Sequence, residues 1–203
     1  MHSPELRNGL YGLLSDFFHY PALRESPIFD QELLQEVAAR VGTDDPPQVA
    51  VDDIHELQTA YTGLFVNRLG GVRAHPYGAV YLETEPRLMG KSSQGVVAAY
   101  REAGIRPEDS AEPPDALVLE LAFMAHLTEA EVQAAAAGDQ AALEQTREQQ
   151  IKFCRDYLHP WIFEFCRRVT EDETAHPLYR WGARLLEKFS RQEQAGMSAG
   201  PAG

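Results

Sequence analysis

Ser3-Pro4-Glu5-Leu6-Arg7-Asn8-Gly9-Leu10-Tyr11-Gly12-Leu13-Leu14-Ser15-Asp16-Phe17-Phe18 is the stretch that decides the fold. A serine followed by proline reads as a helix N-cap with proline at the first helical position, where its missing N–H costs nothing. Leu6, Leu10, Leu13, Leu14, Phe17 and Phe18 then recur every three or four residues until Tyr20-Pro21 ends the pattern.

The same period recurs along most of the chain. Asp30 caps a second helix carrying Leu33, Leu34, Val37 and Val41, closed by Gly42 and Asp44-Asp45-Pro46-Pro47. A third runs from Val49 to Asn67, with Ile54, Leu57, Tyr61, Leu64 and Phe65 on one face. Ser92 or Ser93 caps a helix with Val96, Val97 and Tyr100, closed by Gly104. Asp115 opens another, with Leu117, Leu121, Met124 and Leu127, ended by Gly138 while Asp139 caps the next. Pro160 removes a backbone donor from the 141–169 region and bends or divides it at His159-Pro160-Trp161. The last helix carries Leu178, Tyr179, Trp181, Leu185, Leu186 and Phe189. No Asn-Gly or Asp-Gly pair separates alternating strands, so an all-α helical bundle is expected.

Two interruptions organise the chain. From 69 to 90, Gly70-Gly71, His75-Pro76-Tyr77-Gly78 and Glu85-Pro86 break the periodicity. Long ordered loops in compact domains are more often functional than not, which makes this one the first candidate binding surface. The second interruption, Arg106 to Pro114, reads as a linker, giving an N-terminal subdomain over 1–108, a hinge at 109–115 and a C-terminal subdomain over 116–193. The small, flexible composition of 194–203 reads as a disordered tail.

With 203 residues, 44% of them apolar, the chain can bury a full core. Its 18 basic and 31 acidic residues give a net charge of −13, which repels phosphate backbones and anionic headgroups and excludes nucleic acid as a partner. A cationic peptide is attracted by the same field, although solubility alone also accounts for an acidic surface. No apolar run approaches the roughly 18 residues that span a bilayer, so no stable membrane insertion is expected. Met1 to Phe18 lacks the marks of an export signal, and the default compartment is the cytoplasm. Cys154 and Cys166 have no metal-ligand spacing and read as buried thiols.

Catalytic motifs are sparse. Two carboxylate-x-x-His pairs, Asp52 with His55 and Glu173 with His176, fall short of a helical di-metal site, which needs two such motifs and two further glutamates facing the core. There is no Gly-x-Ser-x-Gly elbow. Gly90-Lys91-Ser92 echoes the end of a phosphate-binding loop, but Glu85 stands where the first glycine belongs. A helical body, an aromatic and proline-rich loop and an acidic surface suit recognition of a polypeptide better than catalysis, and no cofactor is expected.

Tyr61-Thr-Gly-Leu-Phe-Val-Asn67, His75-Pro-Tyr-Gly-Ala-Val-Tyr-Leu82 and Leu88-Met-Gly90-Lys-Ser-Ser93 stand in order and spacing that resemble the TorD/DmsD family of redox-enzyme maturation chaperones. Tyr100-Arg-Glu-Ala-Gly-Ile105, Glu112-Pro-Pro-Asp115, Leu119-Glu-Leu-Ala-Phe-Met124, Leu158-His-Pro-Trp161 and Pro177-Leu-Tyr179 extend the resemblance over most of residues 5 to 190. It implies a cytoplasmic, non-enzymatic, all-helical chaperone, monomeric or homodimeric. Such a chaperone binds the apo form of a molybdopterin oxidoreductase, often through its twin-arginine signal peptide, and delays export until the cofactor is inserted.

Carried over by motif, the resemblance places Tyr61 and Phe65 in a peptide groove with Pro76, Tyr77 and Tyr81 of the loop. It gives Gly90 a tight turn, makes Glu112, Pro114 and Asp115 the hinge, and offers Asp115 as a partner for signal-peptide arginines. Plainer roles fit the same residues: core packing for Tyr61, Phe65 and Trp161, loop shaping for Pro76 and Gly90, and an N-cap for Asp115. The chain departs from the family in having Ala116 where the hinge commonly carries histidine, and Tyr77 and Tyr81 where some relatives have tryptophan. An assembly factor for the mature region of a non-exported catalytic subunit, of nitrate-reductase type, is a second expectation. A metal-dependent helical enzyme using Asp52, His55, Glu173 and His176 is a third, from another class.

Overall fold

A computed structural model describes residues 2–21, 30–48, 54–85, 90–106 and 112–198. Its elements are α1 (Pro4–Phe17), α2 (Gln31–Val41), α3 (Ile54–Tyr61), α4 (Ala79–Leu82), α5 (Lys91–Glu102), α6 (Leu117–Ala137), α7 (Gln140–Phe153), α8 (His159–Glu171) and α9 (Pro177–Ser198). Wider π turns lie at Thr62–Val66 and Cys154–Leu158. The described residues contain no β-strand, only one isolated bridge between Tyr77 and Ala116, and the fold is all-α as expected.

Local chemistry sets the helix ends where the sequence places them. Ser3 accepts from the Leu6 N–H, Asp30 from Leu33 and Asp139 from Ala142, while Gly42 closes α2 in the left-handed region at φ 75°. The 49–67 helix is shorter than expected over its described part, since it opens into a π turn after Tyr61; residues 49–53 lie outside the described residues. At Pro160 the missing donor is absorbed by the π turn immediately before it, which divides α7 from α8. The composition of 194–203 pointed to disorder, but α9 continues through Ser198; 199–203 lie outside the described residues. The extension follows from Phe189, Ser190 and Glu193, which are buried on the inner side of α9 and hold its last turns to the bundle.

The helices pack around one apolar cluster. Ser15 donates to the Val118 carbonyl and Asn8 to that of Ala125, which lays α1 antiparallel along α6. Trp181 donates to the Asp44 carbonyl and Gln192 to that of Val41, which fixes α9 beside the end of α2. Leu10, Leu14, Phe17, Leu121, Trp161, Phe165, Leu186 and Phe189 all belong to this cluster, so helices on both sides of 112–115 share it. Cys154 and Cys166 are buried within it, and burial pushes the Cys154 thiol up to about 12.

One ionic knot is sealed inside the bundle. Arg7, 2% exposed, donates to Glu193 at 2.6 Å, to Glu131 at 2.9 Å and to Gln150 at 2.5 Å. Arg147 reaches the other oxygen of Glu131 at 2.8 Å. Burial works against the Glu131 charge, but the bonds from Arg147 and Gln150 and the charge of Arg7 outweigh it and hold the carboxyl below its ordinary range. The knot ties α1, α6, α7 and α9 together. Replacing Arg7 with methionine leaves the buried Glu193 with no cation and only the Tyr11 hydroxyl, while Glu131 keeps Arg147 and Gln150, and urea denaturation at neutral pH should show a loss of about 3–5 kcal/mol. A loss under about 1 kcal/mol would show the knot to be dispensable.

Candidate functional site

The loop after the first π turn is held down by hydrogen bonds to the start of α6. Gly78 N–H donates to the Asp115 carbonyl and Leu117 N–H to that of Pro76, both at 2.9 Å, pairing the two segments as a minimal antiparallel bridge. The Asp115 side chain, 3% exposed, completes the join. One carboxylate oxygen accepts from Ala79 N–H at 2.7 Å and the other from the Ser93 hydroxyl at 2.9 Å. Asp115 therefore caps the single turn of α4 rather than α6, whose N-cap position is taken by Ala116 with no side-chain acceptor. Tyr100 adds a bond to the Pro114 carbonyl at 2.9 Å.

The start of α5 is also capped from a distance. Ser92 or Ser93 was the expected cap, yet the Glu83 carboxylate accepts from both the amide and the hydroxyl of Ser92, and Ser93 turns instead to Asp115. Gly90 precedes the helix with φ −63°, a conformation open to any residue; a methyl group there would overlap the Glu83 carboxylate and push it from its place at Ser92.

Tyr81 nails the loop to α8. Its ring stacks on Trp161 with centroids 5.4 Å apart, the Arg168 guanidinium lies 4.7 Å over it, and its hydroxyl donates to the His75 carbonyl at 2.9 Å. Trp161, expected to pack in the core, is buried beneath the loop and donates to Glu120 at 3.1 Å. A side chain at Gly78 would stand 3.1 Å from the indole nitrogen, so the loop backbone approaches the ring directly. Burial, reinforced by the Asp115 charge and only partly offset by the indole bond, raises the Glu120 carboxyl far above its ordinary value.

What faces outward is aromatic and acidic. Phe65 is fully buried against Phe165 and Tyr179, whereas Tyr61, one turn back, is half-buried and donates to the Phe18 carbonyl at 3.2 Å. Edge-on to Tyr61 at 5.5 Å stands Tyr20, 48% exposed. Tyr77 is half-buried and hydrogen-bonded to the exposed Glu112; burial first, and then the Glu112 charge, push its hydroxyl up. The Tyr61 hydroxyl is raised by burial, then by Tyr77 and Glu112, which places these three side chains in one neighbourhood. Of the expected site residues, Tyr61, Tyr77 and Glu112 form this surface, and Pro76, Pro114, Asp115, Tyr81 and Gly90 lie in the scaffold that positions it. Tyr20 was missed; its only signal is an aromatic ring just before Pro21, beyond the apolar stripe of α1.

The carboxylate-x-x-His pairs are differently employed. Asp52 lies outside the described residues. His55 is bonded to Gln58, and His176 accepts from Leu178 N–H at the start of α9 while lying 3.8 Å from Glu56. Among the described residues no three metal-ligating side chains converge. No helix of the described residues is long and apolar enough to cross a membrane.

Comparison with known proteins agrees with this architecture. A family model described as the nitrate reductase delta subunit matches residues 29–167, and the chain belongs to that family, in which the TorD chaperones it resembles are grouped. Chaperone protein TorD of Vibrio cholerae is 29% identical over 194 residues, covering 95% of this chain and 79% of its own length. TorD of Shewanella loihica is 29% identical over 162 residues, covering 76% of this chain, which spans 65% of that relative. A solved structure described as a redox enzyme maturation protein, from Archaeoglobus fulgidus, superposes with a TM-score of 0.55 at 26% identity, over 91% of this chain and 93% of the other. The relatives are named as chaperones, not as enzymes.

The buried carboxylates have two measurable effects. Asp115→Ala leaves the Ala79 amide and Ser93 hydroxyl unpaired and should cost about 2–4 kcal/mol in urea, with faster exchange of the Ala79 amide; full protection of that amide would contradict the clamp. Glu120 has a raised value in the folded state, so as pH rises above its unfolded value of about 4.3 the unfolded chain releases the proton first and stability falls. Glu120→Gln cannot ionise, so its melting temperature should exceed wild type at pH 8 and match it near pH 4. A deficit at pH 8 would contradict the upward shift of Glu120.

Proposed function

We propose that the chain is a cytoplasmic maturation chaperone that binds the twin-arginine signal peptide, or the apo form, of a molybdopterin-dependent oxidoreductase and assists cofactor insertion before export. The coarser part, membership of a redox-enzyme maturation family and hence a redox enzyme as partner, rests on the comparisons. The finer part rests on one observation: Tyr77, on the loop clamped by Asp115, stands with Tyr61 beside the Glu112 carboxylate, and Tyr20 extends the aromatic surface from the end of α1. Aromatic rings take up apolar side chains, and an exposed carboxylate accepts a guanidinium in a charge-assisted bond. A net charge of −13 favours encounter with a cationic segment.

Calorimetry with the signal peptide of a molybdoenzyme encoded beside this chain tests the proposal. Micromolar or tighter binding is expected, weakening as salt rises because rim charges are screened within about 8–10 Å. Tyr77→Ala and Glu112→Gln should each weaken it about tenfold with melting unchanged, roughly 1.4 kcal/mol of binding energy. No heat at any ionic strength would refute it. The matched model's description as a nitrate reductase subunit favours a second reading, an assembly factor for the mature region of a non-exported catalytic subunit. Retention of signal-deleted enzyme in a pull-down, with no peptide binding, selects that reading.

A further inference from the structure

A cleft of about 540 Å³ opens where the second π turn and the start of α8 meet the last turns of α9, within the size range of small-ligand pockets. It lies on the side of α8 that bears His159 and Phe163, away from Trp161 and Tyr81. Ile151, Phe163 and Met197 give it an apolar lining, and Arg155, Arg191 and His159 line it with donors. The arginines are held in place: Arg155 commits Nε and one Nη to Asp156, Arg191 does the same with Glu187, and the Arg191 guanidinium lies 4.6 Å over the Phe163 ring. Among the described residues, neither Nη1 group has a hydrogen-bond partner.

His159 is the unexplained member. It is 8% exposed, and its Nε2 is buried with no hydrogen-bond partner, whereas buried polar groups are as a rule paired and each exception calls for a reason. Burial holds the ring neutral down to about 4. The π turn beside it is a feature that recurs at functional sites. We infer that this cleft is a binding site for a small amphiphilic anion, a carboxylate or similar oxyanion head on an apolar body. The head meets the Nη1 groups of Arg155 and Arg191, and the body lies against Ile151, Phe163, Met197 and the neutral ring of His159. The site is independent of the peptide surface.

Titration of the full chain with sodium octanoate, 1-octanol and inorganic phosphate, followed by calorimetry and by the imidazole ¹⁵N signal of His159, tests it. One octanoate per chain is expected, at least tenfold tighter than octanol, with a shift of the His159 signal and no heat from phosphate. The Arg155→Gln/Arg191→Gln double variant alters two side chains that are more than half exposed, so the fold should persist, as a thermal melt checks. It should lower octanoate affinity to the octanol level and leave octanol unchanged. Octanoate binding that the double variant does not weaken, octanol binding as tightly as octanoate, phosphate matching octanoate, or an unmoved His159 signal would each overturn the site.

Discussion

The Asp115 carboxylate is the constraint on which the candidate surface depends. Its two oxygens tie the α4 turn to α5, while its backbone carbonyl pairs with Gly78 ahead of α6. A buried carboxylate is tolerable only when bonded, so the chain segments that satisfy it are compelled to stay together. Once the loop is pinned, Tyr81 settles between Trp161 and Arg168, and Tyr77 is presented outward beside Glu112. An aromatic surface on an otherwise unsupported loop would collapse into the core or remain disordered; here the scaffold beneath it prevents both.

A second buried electrolyte, around Arg7, does comparable service for the bundle. Its guanidinium faces Glu131 and Glu193 from helices that the chain reaches only after 124 and 186 residues. Both knots have the same logic. Polar groups inside an apolar core cost free energy unless their partners are in place, so they select one arrangement of helices over others that bury equal apolar area.

This separates what was legible in the sequence from what was not. The starts of α1, α2 and α7 were legible because a cap bonds an amide three residues on, at Leu6, Leu33 and Ala142. The division at Pro160 was legible because a missing donor acts locally. Asp115 has the same chemistry as a cap but serves an amide 36 residues away, and Ser93 serves a carboxylate 22 residues on, so local pattern assigned both to the wrong helix. The loop and its aromatics were found, since glycine and proline punctuation marks them, but whether each ring faces the core or the solvent is set by tertiary packing. Tyr61 and Phe65 lie on one apolar face, and the bundle buries only the second completely.

In the function proposed above, the acidic surface, the aromatic side chains and the clamped loop together hold a cationic, partly apolar segment. Hydrogen-exchange mass spectrometry with and without a twin-arginine signal peptide locates that contact directly. The account predicts protection confined to the segments around Tyr20, 61–66, 76–82 and 112–117. Protection centred elsewhere, as in the groove between α1 and α2, with these segments unchanged, would contradict it.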